Sequence, residues 1–75
     1  MAWKTYLVMY FNGDEKITDI VKKVEALGFH SALGPVDFEF QWEAEPTKDQ
    51  VFELCDKLCG ALKGTGAIFN IDTHD

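Results

Sequence analysis

Residues 36–43, VDFEFQWE, alternate strictly between apolar and polar side chains. Val36, Phe38, Phe40 and Trp42 occupy one parity, and Asp37, Glu39, Gln41 and Glu43 the other. A period of two with one charged side specifies a strand of an antiparallel sheet that buries one face and wets the other. A slip of one residue would exchange the two sets, so the alternation also fixes which face is which. Phe38, Phe40 and Trp42 are therefore expected in the core, and Asp37, Glu39 and Glu43 exposed on an uncovered sheet face.

The apolar face needs a partner, and two flanking segments supply helical stripes. Ile17, Ile20, Val21, Val24 and Leu27 recur at the i, i+3, i+4, i+7 spacing of an amphipathic helix, expected over about 15–27. Asn12-Gly13 reads as the turn before it, Asp14 as its cap and Gly28 as the residue just past its end. After Pro46, Thr47-Lys-Asp-Gln50 has the spacing of a capping box. The helix it opens is expected to run to about Lys63 and to bury Val51, Leu54, Cys55, Leu58, Ala61 and Leu62, with Gly64-Thr-Gly66 ending it.

Three more segments complete the order. Residues 3–12, WKTYLVMYFN, are aromatic and branched, contain no Gly or Pro, and are apolar on both parities, as in a central strand. Phe29–Leu33 reads as a short strand before a Gly34-Pro35 turn, and Ala67–Thr73 as a last strand. The sequence β-α-β-β-α-β resembles the ferredoxin-like superfold, which implies a single α+β domain over 1–75 with an antiparallel four-stranded sheet and two helices on one face. Tyr6 and Tyr10 then lie on the open face beside Asp37, Glu39 and Glu43, and these five residues form the candidate binding surface.

Charge narrows what such a surface accepts. Thirteen acids face seven lysines and no arginine, a net charge of −6. Six of the acids (Asp37, Glu39, Glu43, Glu45, Asp49, Glu53) fall in one stretch with Lys48 as its only base. Nucleic acids and anionic membranes select clustered Lys and Arg, so both are disfavoured as partners. A basic protein, or a second copy of the chain, suits the surface better. The apolar run Tyr6–Phe11 is too short for a signal-peptide core or a membrane span, and two cysteines are too few for a secreted disulfide framework. The expectation is a soluble cytoplasmic protein.

Residues with catalytic or ligating chemistry are sparse. Cys55 and Cys59, four apart on the second helix, are expected as reduced core residues, because a structural zinc would want four ligands. Asp72, His74 and Asp75 read as a solvated tail, and His30 stands alone. No nucleophile, base and orienting group come together, and no cofactor motif is present, so the expectation is a non-catalytic interaction or regulatory module without a metal or cofactor. One alternative has a family behind it. The segments Tyr10-Phe-Asn-Gly-Asp14 and Leu27-Gly-Phe29 make most of the chain resemble small dimeric CRISPR-associated nucleases and a related toxin group. That resemblance implies a metal-dependent nuclease using Asp14 with other acids. In that family the acid ends the first strand directly, where this chain has Asn12.

Overall fold

A computed structural model describes residues 2–11, 16–32 and 34–75. The Asn12-Gly13 turn, the Asp14 cap, Glu15 and Leu33 lie outside the described residues. Element order is β1 (Lys4–Tyr10), α1 (Ile17–Ala26), β2 (His30–Ser31), β3 (Phe38–Gln41), α2 (Lys48–Leu62) and β4 (Ile68–His74). The fold is α+β, with one four-stranded sheet in the order β2-β3-β1-β4. Every neighbouring pair in it is antiparallel.

The pairing register shows why the two sheet faces differ. Leu7 pairs with Phe38 and with Ile71, and Thr5 pairs with Phe40 and with Thr73. Directly opposed residues share a face, so this parity makes the inner layer. Leu7, Met9 and Phe38 join Ile20 and Val24 of α1 and Leu54, Leu58 and Leu62 of α2 in one core, with Phe29 beside them. Phe40, Trp42, Phe69 and Ile71 close its margins.

Polar groups inside that layer are matched. Thr5 is fully buried, yet its hydroxyl oxygen accepts from the Trp42 indole N–H at 2.8 Å and lies 2.8 Å from the Thr73 hydroxyl. The chain Trp42–Thr5–Thr73 thus links the residue just past β3 to β1 and β4. Gly28 follows α1 at φ +105°, a left-handed conformation that suits glycine. A Cβ there would stand 3.0 Å from the Phe40 ring. The α2 capping box forms in both directions: the Gln50 N–H donates to the Thr47 hydroxyl (3.2 Å) and the Thr47 N–H to the Gln50 side-chain oxygen (2.8 Å).

Several expectations require correction. Ile17 fits the α1 stripe by spacing but is 53% exposed, and α1 buries only Ile20 and Val24. Strand β2 has two residues and β3 four, shorter than the stretches read from sequence. Cys59 is exposed and Cys55 half-buried, so the cysteine pair is not core. The buried stripe of α2 is Leu54, Leu58 and Leu62. Each cysteine follows one of those leucines and is turned about 100° away from the stripe. His74 belongs to β4 and pairs with Lys4, so the segment read as a solvated tail is mostly strand.

Candidate functional site on the uncovered sheet face

The other parity of the same register makes the outer face. Tyr6 lies between Glu39 and Asp72, Val8 beside Asn70, and Tyr10 beside Ile68. No described helix covers these positions, because the buried residues of both helices join the inner layer. Tyr6, Val8, Pro35, Val36, Glu39, Asn70, Ile71, Asp72 and His74 line a groove of about 450 Å³. Its floor, Tyr6 and Val8, is the central strand. Its walls come from the β2–β3 connection on one side and from β4 on the other. Beyond it the floor continues into a solvent-facing apolar end, where Tyr10 is 51% and Ile68 64% exposed.

Charge sits on the rims. Glu39 stands on one side of Tyr6 and Asp72 on the other. The Lys4 ammonium donates to Glu39 at 3.3 Å, across half-exposed side chains. Solvent screens a pair of this kind, which contributes little to stability. The Tyr6 ring stacks on His74 with centroids 4.7 Å apart and planes 27° from parallel. The Asp72 carboxylate lies 3.7 Å from His74 Nε2, too long for an orienting hydrogen bond. The groove therefore presents aromatic and aliphatic surface between two carboxylates, with an imidazole at one end.

Of the five surface residues inferred from sequence, the structure brings Tyr6 and Glu39 into the groove and sets Tyr10 further along the same face. Asp37 and Glu43 do not join them. The Asp37 carboxylate turns to β1 and accepts the Met9 N–H at 2.9 Å. Its own N–H donates to the Leu7 carbonyl, while its carbonyl accepts from Ala32 on the other side. In a regular strand the N–H and C=O of one residue point the same way, so the pleat breaks at Asp37. Val36, which shares the apolar parity of Phe38 in the sequence, therefore lines the groove instead. Glu43 lies past the end of β3, exposed, beside a separate hollow formed with Gln41, Ala44, Glu45 and Gln50.

Sequence reasoning missed Val36, Pro35, Asn70 and His74 as groove residues. The β4 members were recoverable, since Asn70, Asp72 and His74 alternate with Phe69, Ile71 and Thr73. Among the described residues, no three His, Cys, Asp or Glu side chains stand close enough together to hold a metal ion. Nor is any described helix long and apolar enough to cross a membrane. Burial, the neighbouring Cys59 and then Asp56 push the Cys55 thiol above its ordinary range, so Cys55 is a poor nucleophile at neutral pH. Comparison with known proteins gives no match: no family model, no curated protein and no solved structure matches the chain.

Proposed function

We propose that the domain is of ferredoxin-like type and acts as a non-catalytic protein-interaction module whose uncovered sheet face is the binding surface. One observation carries the reading: a groove with an apolar floor, Tyr6 and Val8, and Val36 in its wall, lies open on the central strand with no part of the described chain over it. Contiguous apolar surface of this kind is unfavourable to leave wet and marks contact sites. Tyrosine supplies large contact area with a polar tip, which suits it to the centre of an interface. Glu39 and Asp72 on the rims favour a partner segment that places an aliphatic or aromatic side chain on the floor and lysine or arginine at the rims. The absence of arginine and the net charge of −6 weigh against nucleic acid.

The nuclease alternative rests on Asp14, outside the described residues, and no structural observation favours it. The test is affinity capture from source-cell extract with two baits, the native chain and Tyr6→Ser/Tyr10→Ser. Tyr10 is exposed and Tyr6 half-exposed, so the double variant is expected to keep its fold, which circular dichroism checks. A partner held by the native chain and lost from the variant supports the reading. Identical profiles from two folded baits overturn it.

A further inference from the structure

The two edges of the sheet are built differently. At one edge β2 spans only His30–Ser31, followed by Gly34-Pro35. A short strand next to a proline is a common way to prevent edge-to-edge pairing. At the other edge β4 runs for seven residues, Ile68–His74, in unbroken register with β1. It contains no lysine, no proline and no bulge, the devices that usually protect an edge. Among the described residues nothing pairs with its outer side.

Backbone parity shows which β4 groups face outward. On β1, the Trp3 and Leu7 carbonyls accept from the β3 side and the Met9 N–H donates to it. The alternate residues Lys4, Tyr6, Val8 and Tyr10 thus direct their backbone groups to β4, bonding His74, Asp72, Asn70 and Ile68 in the observed register. The N–H and C=O groups of Phe69, Ile71 and Thr73 remain on the free edge. These three are symmetric about Ile71, the middle residue of the strand.

We infer that β4 pairs antiparallel with β4 of a second copy about a two-fold axis at Ile71, joining two sheets into one of eight strands. Phe69 then opposes Thr73 of the second copy and Ile71 opposes its equivalent. Each such pair exchanges two backbone bonds, for about six across the seam. On the outer face Asn70 opposes Asp72 of the second copy, an amide donor facing a carboxylate, and Ile68 opposes His74. The β4 wall of the groove continues across the axis. Local charge selects this occupant over a basic peptide, because Ile68–His74 carries a single carboxylate, Asp72. A C2 contact of this kind uses up both edges and closes at two copies.

The dimer requires only the edge and does not depend on what the open face binds. Sedimentation over a range of protein concentration, with hydrogen–deuterium exchange on the same samples, tests it. The Phe69, Ile71 and Thr73 amides are expected to gain protection as concentration rises. The Asn70 and Asp72 amides, bonded to β1, stay protected throughout. Added salt is expected to tighten the dimer by screening two negatively charged copies, whereas it would loosen a complex with a basic peptide. Asn70→Asp places like charges opposite one another twice per dimer and is expected to raise the dissociation constant about tenfold. Adding Asp72→Asn in the same chain restores the complementary pair and the affinity. Tyr6→Ser/Tyr10→Ser leaves the dimer intact, which separates failure here from failure of the open-face reading. A monomer at every concentration, or a dimer in which the Phe69, Ile71 and Thr73 amides stay unprotected, overturns the inference.

Discussion

Thr5→Val tests the interior most sharply, because it removes one hydroxyl from a fully buried site and keeps the branched shape that a strand prefers. Two contacts are lost, the bond from the Trp42 indole and the contact with the Thr73 hydroxyl. Leaving a buried polar partner unsatisfied costs about 1–3 kcal/mol. Trp42 and Thr73 are only half-buried, so water recovers part of that cost. A buried methyl in place of the hydroxyl offsets up to about 0.8 kcal/mol more. The net expectation is a loss of about 1–2 kcal/mol, or roughly 5–15 °C in Tm for a domain of this size. Urea titrations followed by circular dichroism measure it, in the native background and in Trp42→Phe. With the indole gone, Thr5→Val is expected to cost about half as much, a coupling of roughly 0.5–1 kcal/mol. Equal costs in the two backgrounds, or no loss at all, would refute the polar chain as a stabilising feature.

Other substitutions probe the turns and the helix. Gly28→Ala combines a strained positive φ with a 3.0 Å approach to the Phe40 ring and is expected to cost more than about 1 kcal/mol in a thermal melt. A stability unchanged within error would show that the turn relaxes. Thr47→Ala removes the hydroxyl half of the capping box; a loss near 1 kcal/mol is expected in the same assay, and none would mean the cap is frayed in solution. Among the cysteines, iodoacetamide at neutral pH is expected to modify exposed Cys59 before Cys55, and mass spectrometry of partial digests decides the order. The Cys55 thiol holds its proton more tightly in the folded chain than in the unfolded one. Its contribution is therefore complete below the range of an ordinary thiol and is lost as pH rises through the raised value. Stability should decline on the alkaline side, less so in Cys55→Ala; identical alkaline limbs would contradict this.

What the chain discloses unaided depends on whether local signals agree. The α2 capping box and Gly28 act within a few residues, and both stand where the sequence put them. The alternation of Phe38, Glu39, Phe40 and Gln41 likewise survives into the sheet. It fails at Asp37, where a short carboxylate competes for the Met9 N–H and breaks the pleat. The N–H it accepts, that of Met9, lies 28 residues away, so no reading of period two within 36–43 could reveal the contact, and Val36 leaves the parity its spacing gave it. Ile17 and Cys59 show a related limit, since helical spacing marks a side of the helix but not how much of it the sheet covers. The outer groove was half visible. Tyr6 and Glu39 follow from alternation, whereas Asn70 and His74 needed the β1–β4 register to place them beside Tyr6.

That the groove side of the sheet is a protein-contact surface is tested most directly by amide NMR of the labelled domain in soluble extract of its source cells. Selective broadening or shifts are expected at Tyr6, Val8, Val36, Asn70 and Asp72, with α2 surface residues such as Lys48 and Phe52 unchanged. Changes centred on the exposed Phe52 side of α2, or a spectrum indistinguishable from that in buffer, would contradict it.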